Sequence, residues 1–425
     1  MSRLLERDAA HVWHPYTQHA SEPAPLPVVA ARDAVLTLED GREVIDGISS
    51  WWSILHGHGR QELVDAAATQ ASTLDHVLLA GATHEPAVSL AESLAEVTPA
   101  GLSRVFYSDN GSTAVESALK MVVQRWVQQG EAQRRVFLTL EGSYHGDTFG
   151  SMAVGDPDPF FLPFQPMLFE TRRARPLEHE LVAALDELGD RAAGVLLEPL
   201  VQGAAGMKMH SVELLQSLRR ECDARGLPLV ADEVMTGFGR TGHLFACEKA
   251  GVSPDVLCLA KGLTGGMMPL AATVTTEEMF QSFLHEDRHR AFFHGHTFTG
   301  HAIGCAVALA SLRLVKEEDT PGRLDRLGGL IEGRLREHPA VAGEELGLRR
   351  CGGIVAVDLP PPPGEQAGYL ASLGPKLRAA ALERGVLLRP LGTTLYALPP
   401  ACTTDEQAGR IAEVMGELVA IATGD

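Results

Sequence analysis

Two apolar runs in the middle of the chain each end in a charged residue and lead into a glycine-rich loop. The first run ends at Asp232 (LVAD, residues 229–232) and the second at Lys261 (CLAK, residues 258–261). Continuous apolar runs of this kind predict strands buried on both faces of a mainly parallel sheet. Because ligands of such sheets bind at the carboxyl ends of the strands, we expect Asp232 and Lys261 to share one buried site. Burying two charged groups there is costly, so we expect them to be kept for binding or catalysis.

Binding of pyridoxal 5'-phosphate (PLP) would explain both charged residues. The aldehyde of PLP needs a lysine to form a Schiff base, and its ring nitrogen needs an acidic partner to stay protonated. The neighbours of Lys261 are small, Ala260 and Gly262, so a bulky cofactor can approach the backbone. A lysine that reaches solvent and an aspartate that caps a helix are the simpler alternatives. The pairing of the two motifs favours a PLP site built on Asp232 and Lys261.

Further strands are expected in the same sheet, at residues 136–140, 194–198 and 270–275, with a helix near 211–225. Glu198 ends one of these strands and is expected to contact the site or its frame. Both ends of the chain differ from this middle region. Their shorter strand signals are at residues 35–38, 354–359 and 395–398, and their helix signals are around 323–337, 367–384 and 404–422.

These signals predict an α/β protein with two domains. The large PLP-binding domain covers residues 51–315 and has a mainly parallel sheet flanked by helices. The smaller α+β domain combines residues 1–50 with residues 316–425.

Charge and composition exclude several classes of protein. With 36 basic and 55 acidic residues the net charge is −19, which opposes nucleic-acid binding because that needs a basic surface. The segment at residues 1–8 (MSRLLERD) has no apolar core, and no apolar run is long enough to span a membrane. The six cysteines form no Cys-x-x-Cys pair, so we expect reduced thiols in a cytoplasmic protein.

The stretch SDNGST (residues 108–113) opens a predicted helix. Thr113 and Glu116 have the spacing of a capping box, and an ordinary capped helix is the simpler alternative. A glycine-rich helix N-terminus also offers free N–H groups to a phosphate. Given the predicted PLP site, we expect Gly111 and Ser112 to bind the cofactor phosphate.

Together these motifs resemble those of the class III (omega) aminotransferases of PLP fold type I, over nearly the whole chain. The resemblance implies a Schiff base on Lys261 and a pyridinium partner at Asp232, and Val234 is expected to form an apolar floor under the ring. It also implies that Tyr144 stacks on the ring and that Asp147 lies nearby in the substrate site.

The same resemblance implies a homodimer with shared active sites. In the family a threonine from the other subunit completes the phosphate site, and here that residue is Thr297 in HGHTF (residues 294–298). Gly295 of this loop is assigned to the substrate site. His296 stands where the family more often has proline, which affects the shape of the loop rather than Thr297.

Two aromatic motifs, WHPY (residues 13–16) and SSWW (residues 49–52, at the end of a predicted β segment), hold three of the four tryptophans. They could belong to the core of the small domain, or they could flank a long aliphatic substrate or an adenine ring. The motifs are similar to those of family members that make 7,8-diaminopelargonate in biotin synthesis. This implies that Tyr16, Trp51 and Trp52 line the pocket, with Tyr16 also assigned to catalysis.

Two arginines are assigned to the substrate. Arg389 ends an apolar stretch predicted to be a strand, and its guanidinium suits a carboxylate. The resemblance implies that it binds the carboxylate of 8-amino-7-oxononanoate. Arg240 lies in GFGRTG (residues 237–242), a loop shared across the family that says little about substrate identity. The implied amino donor is S-adenosylmethionine, and lysine, used by some relatives, remains an alternative.

Other functions remain open at this point. The chain could be an omega-aminotransferase for ornithine, 4-aminobutyrate or a diamine, or an inactive PLP-binding relative. Retention of Lys261, Asp232, Tyr144 and Thr297 opposes the inactive form. Histidine pairs at 294/296 and 285/289 have plausible metal-ligand spacing, but no further cluster completes a tetrahedral set, so no metal site is predicted.

Overall fold

The structure is a computed structural model that describes residues 2–342 and 346–424. The described strands are β1 (Val28–Arg32), β2 (Val35–Leu38), β3 (Glu43–Asp46), β4 (Leu102–Ser108), β5 (Val136–Leu140), β6 (Thr171–Ala174), β7 (Ala192–Leu197), β8 (Val201–Gln202), β9 (Lys208–Met209), β10 (Leu229–Asp232), β11 (Val256–Leu259), β12 (Ala271–Thr276), β13 (Arg349–Cys351), β14 (Ile354–Asp358), β15 (Val386–Leu387) and β16 (Thr394–Ala397).

The described helices are α1 (Arg3–His11), α2 (Ser49–Trp52), α3 (Gln61–Thr73), α4 (Glu85–Val97), α5 (Gly111–Gln128), α6 (Phe149–Val154), α7 (Glu178–Leu188), α8 (Val212–Arg225), α9 (Ala246–Lys249), α10 (Glu277–Gln281), α11 (Ala302–Glu317), α12 (Thr320–Glu337), α13 (Leu373–Glu383) and α14 (Asp405–Thr423). In the part of the chain that the structure describes, no helix combines the length and the apolar character needed to cross a membrane.

A seven-stranded sheet with the order β4-β12-β11-β10-β7-β5-β6 forms the centre of the molecule. Strand β10 pairs in parallel with β11 and β7, and β5 pairs in parallel with β7 and β6. Only β12 runs against its neighbours, β11 and β4. The apolar runs of β7, β10 and β11 are buried throughout, because helices cover both faces. The predicted α/β class with a mainly parallel sheet is confirmed.

The register of this sheet brings the two predicted site residues to one edge. In the pairing of β10 with β11, Asp232 lies opposite Cys258. Lys261 follows β11 after two residues and opens a 3₁₀ turn, with φ at +47°. A non-glycine residue with positive φ is strained, and such strain is common at functional sites.

A second, four-stranded sheet joins the two ends of the chain. Its order is β1-β2-β3-β15, and Ile45 of β3 pairs in parallel with Val386 of β15. Strands β13, β14 and β16 form another sheet, and α12 and α14 pack together on the same core. The boundaries of the two domains remain a prediction. The first and last residues of the predicted small domain, Met1 and Asp425, lie outside the described part of the chain.

Besides the SSWW motif, which forms α2 rather than the end of a strand, local predictions were wrong at three places. The helix predicted over 367–384 begins only at Leu373, because the Glu365 carboxylate binds both the N–H and the hydroxyl of Ser372 and closes a loop before it. Strand β15 ends at Leu387, two residues before Arg389.

The third error concerns the start of α5. The capping box there joins Asn110 and Thr113 rather than Thr113 and Glu116. The Glu116 carboxylate instead accepts a hydrogen bond from the Gly150 N–H.

Candidate active site

A cavity of about 760 Å³ opens at the carboxyl ends of the parallel strands. Most of the predicted site residues line it: Tyr16, Trp51, Trp52, Gly111, Ser112, Tyr144, Asp147, Asp232, Val234, Lys261 and Arg389. The structure therefore brings together residues from both ends and from the middle of the chain.

Asp232 is held in place by two hydrogen bonds. One carboxylate oxygen accepts the Val234 N–H at 3.1 Å, and the other lies 2.7 Å from Nδ1 of His145. Both side chains are buried, and Nε2 of His145 contacts no hydrogen-bond partner among the described residues. His145 thus orients the carboxylate of Asp232.

The walls of the cavity change the pKa of the Lys261 amine. Desolvation lowers its pKa to about 8, although the carboxylates of Asp232 and Glu198 act in the opposite direction. Its Nζ lies 4.6 Å from the centre of the Trp52 ring. A lysine with this pKa has a substantial neutral fraction near neutral pH, which a nucleophile or a general base requires.

Glu198 supports the wall beside this pair. Its carboxylate accepts the N–H groups of Tyr144 at 3.1 Å and Gly203 at 2.8 Å. Burial raises its pKa to about 7, and the Asp232 charge adds to this shift. Glu198 therefore lies in the wall of the site and fixes the loop that carries Tyr144.

The N-terminus of α5 forms the opposite wall. Asn110 caps the Thr113 N–H, whereas the earlier N–H groups, at Gly111 and Ser112, have no partner within the helix. The hydroxyl of Ser112 lies 2.8 Å from that of Thr148. Helix N–H groups beside two hydroxyls fit a phosphate.

Glycines make this wall possible. A Cβ on Gly111 would lie 2.6 Å from the Val234 side chain, and one on Gly146 would lie 2.4 Å from Ser112. Real Cβ atoms essentially never lie so close to another heavy atom. Both positions therefore need glycine for α5, Val234 and the loop after β5 to meet around the cavity.

Tyr16, Tyr144 and Asp147 form a hydrogen-bonded cluster at the mouth. The Tyr16 hydroxyl donates to the Asp147 carboxylate, with O···O distances of 2.6 and 2.7 Å, and lies 3.1 Å from the Tyr144 hydroxyl. Burial first, and hydrogen bonding to Asp147 second, raise the pKa of Tyr16. The cluster offers a carboxylate to a substrate amine.

Arg389 lines the cavity beside Trp51 and Tyr369. Its Cζ is 4.4 Å from the centre of the Trp51 ring, and Nη2 is 3.4 Å from the Tyr369 hydroxyl. Among the described residues no carboxylate lies within 4.0 Å of its guanidinium. The arrangement leaves donors for a carboxylate ligand.

Three further aromatic residues line the cavity and were not predicted: Phe160, Tyr369 and Tyr396. The Phe160 and Tyr369 rings lie 4.7 Å apart at the mouth, and the Tyr396 hydroxyl accepts the Trp52 indole N–H at 2.9 Å. Tyr369 was assigned to a helix, and Tyr396 to a small-domain strand. The sequence contains few aromatic residues, and considering those outside the WHPY and SSWW motifs could have identified these three as candidates.

Arg240 does not reach the cavity, contrary to its predicted substrate role. It is 2% exposed, and its guanidinium donates to the carbonyl groups of Trp52, Ile54 and Pro399. Burial lowers its pKa to about 9. It therefore fixes the backbone behind Trp52.

Gly295 and Thr297 are exposed and lie outside the cavity walls of their own chain. Their predicted roles depend on a second subunit and remain predictions.

A protein-family model described as Aminotransferase class-III matches residues 16–419. The chain belongs to the class III aminotransferases. Enzymes of this family depend on PLP, and the chain is a PLP-dependent aminotransferase with the predicted fold type I architecture.

Similar proteins cover nearly the whole of this class III aminotransferase. A relative from Synechococcus elongatus, named adenosylmethionine-8-amino-7-oxononanoate aminotransferase, is 46% identical over 96% of this chain and 98% of its own length. The crystal structure of the protein of that name from Methanocaldococcus jannaschii is 33% identical, with a TM-score of 0.93 and 99% of both chains covered. An amine transaminase from an uncultivated Pseudomonas species, solved with PLP bound, is 31% identical with a TM-score of 0.88, covering 96% of this chain and 98% of its own.

The residues of this class III aminotransferase fit PLP. The uncapped N–H groups of α5 suit its phosphate, Asp232 suits its ring nitrogen, and the Lys261 amine suits its aldehyde. Val234 supplies an apolar surface between the phosphate wall and Asp232.

Proposed function

We propose that this class III aminotransferase transfers an amino group to 8-amino-7-oxononanoate and forms 7,8-diaminononanoate, a step of biotin synthesis. The guanidinium of Arg389, which contacts the Trp51 ring and the Tyr369 hydroxyl and has no carboxylate partner among the described residues, carries the proposal. A long keto acid spans such a cavity with its carboxylate on the arginine and its keto group near Lys261. Relatives over the full chain bear the name of this activity.

The roles of the residues follow from their positions. PLP, when bound, supplies the electron sink that stabilises the developing carbanion. Lys261 would hold PLP through its amine, and the Nζ of Lys261 would also move the substrate proton. Asp232, oriented by His145, would keep the ring nitrogen protonated. Tyr144 is proposed to stack on the ring, and the Tyr16–Asp147 pair to bind the substrate amine.

The donor is proposed to be S-adenosylmethionine. The Tyr16 ring contacts the Trp51 and Phe160 rings edge to face, so the three rings form one aromatic wall. An aromatic wall of this kind suits an adenine ring. Donor and acceptor then alternate in the same cavity in a ping-pong cycle.

A homodimer in a cytoplasmic location is also proposed. The exposed loop of Gly295 and Thr297 is available to complete the phosphate site of a second subunit. The six cysteines are free thiols, which is usual for proteins of reducing compartments.

Assays of donor and acceptor pairs test the proposal. Purified PLP-loaded enzyme is given S-adenosylmethionine or lysine with 8-amino-7-oxononanoate, and in parallel 4-aminobutyrate or ornithine with 2-oxoglutarate. We expect diaminononanoate from the first set and S-adenosylmethionine as the better donor. Product only from the second set would instead assign the enzyme to another omega-aminotransferase activity.

Replacing Arg389 with alanine is expected to raise the KM for the keto acid about 10- to 100-fold, because a charge-assisted hydrogen-bond pair contributes about 1.5–3 kcal/mol. The rate of the donor half-reaction should stay within about threefold. Steady-state kinetics and single-turnover absorbance measure the two effects. Arg378→Ala, a neighbouring guanidinium that does not line the cavity, is the control. Equal losses in both half-reactions would contradict the carboxylate role.

A further inference from the structure

The SSWW motif forms a single left-handed turn, α2, rather than the end of a strand. Ser49, Ser50, Trp51 and Trp52 have φ values of 51°, 46°, 81° and 70°. Backbone bonds of helical spacing close the turn, from the Trp52 N–H to the Ile48 carbonyl and from the Ser53 N–H to the Ser49 carbonyl. The left-handed helical conformation is unfavourable for each of these non-glycine residues, because Cβ comes too close to the following carbonyl oxygen. The turn therefore persists only if its surroundings enforce it.

The buried carboxylate of Asp46 binds the backbone and a side chain of this turn. Asp46 is fully buried, and one of its oxygens accepts the N–H groups of Ser50 at 2.9 Å and Ile48 at 3.3 Å. The other oxygen accepts the Ser50 hydroxyl at 2.7 Å and lies 2.9 Å from Nε2 of His58. Although burial alone would raise the pKa of Asp46, the hydrogen bonds from His58 and Ser50 hold it below its usual range. Asp46 is thus a charged, fully bonded support of the turn.

The turn places one tryptophan against each cation of the active site. Trp51 lies against the Arg389 guanidinium at 4.4 Å, and Trp52 against the Lys261 amine at 4.6 Å. Both distances are within the range of cation–π attraction. The strained backbone of four residues therefore sets the walls beside the reacting amine and beside the carboxylate site together.

We propose that Asp46 is a positioning residue for amino transfer, acting through the left-handed turn to hold Trp52 against Lys261 and Trp51 against Arg389. Asp46 itself does not line the cavity. Loss of its charge removes acceptors from the Ser50 hydroxyl and from His58, so the turn relaxes and both tryptophans leave their positions. The proposal needs only the amino-transfer activity of the family, so it stands or falls separately from the identity of the keto acid.

Asp46→Asn in the PLP-loaded enzyme tests this, with the best carboxylate-bearing acceptor of the wild type. We expect a roughly 10-fold rise in the acceptor KM through Trp51 and a roughly 10-fold fall in the donor half-reaction rate through Trp52. The near-ultraviolet circular dichroism of the tryptophans should change as well. Asp65→Asn, an exposed aspartate on α3, is the matched control and should leave all three readouts unchanged.

A double-mutant cycle separates positioning from general stability. If Asp46 acts through Trp51, then Asp46→Asn should raise the acceptor KM less than about twofold further in a Trp51→Ala background, because coupled changes are not additive. Additive effects, or a lowered melting temperature with unchanged kinetic constants, would overturn the proposal.

If the Asp46→Asn variant does not fold, the Ser50→Ala variant tests the proposal instead. It removes a single hydrogen bond to Asp46 and should give the same kinetic changes at about threefold, and unchanged constants in it would also overturn the proposal.

Discussion

Replacing Lys261 with alanine is expected to lower the rate of amino transfer at least about a thousand-fold, while the fold persists. Proton transfer by a positioned side chain contributes about 10²–10⁴-fold, and Lys261 is also the proposed attachment point of PLP. Its φ of +47° costs alanine about as much as it costs lysine, so stability should change little. Steady-state rates and a thermal melt of the variant measure both effects.

Lys208→Ala is the matched control, since Lys208 is exposed and lies outside the cavity. Borohydride reduction of the PLP-loaded enzyme followed by peptide mass spectrometry should place the added mass on Lys261. Retained activity in Lys261→Ala, or the added mass on another lysine, would contradict the assignment.

Replacing Asp232 with asparagine should lower the rates of both half-reactions about 10²- to 10⁴-fold. Asparagine keeps the shape of the side chain but removes the negative charge that is proposed to face the ring nitrogen. Charge stabilisation in a buried site is usually the largest contribution to catalysis. The amide can also no longer accept at both oxygens from Val234 and His145. Single-turnover absorbance with donor and with acceptor measures the two rates separately.

The adjacent carboxylate, Glu233, provides the contrasting variant. Its side chain points away from the cavity and accepts the N–H groups of Ala246 and Cys247 at the start of α9. Glu233→Gln should therefore lower the free energy of unfolding by about 1–3 kcal/mol and leave the turnover of the folded enzyme within about threefold. A similar kinetic loss in both variants would show that Asp232 has no specific electrostatic role.

The parts of the site that were predictable depend on short stretches of sequence. The apolar runs before Asp232 and Lys261 predict buried strands, and neighbouring parallel strands bring their carboxyl ends together. The glycine-rich start of α5 predicts a phosphate wall in the same way, because free N–H groups at a helix N-terminus are a local property.

The rest depends on contacts between distant segments. Arg240 was assigned to the substrate, but its guanidinium donates to carbonyl groups of residues 159 to 188 positions away. Trp52 donates to Tyr396 across 344 positions. The left-handed turn of SSWW was missed because none of its residues is a glycine, and its φ values are imposed by Asp46 rather than by its own sequence.

The pairing of β3 with β15 has a consequence for biosynthesis. Val386 leaves the ribosome roughly 340 residues after its partner Ile45, an interval of roughly 20–70 s at about 5–20 residues per second. Until then one edge of β3 stays open, and an open strand edge is a place where chaperones or neighbouring nascent chains pair. Arg389 emerges only after this interval, so the part of the cavity around Arg389 is completed after all seven strands of the large sheet have been synthesised.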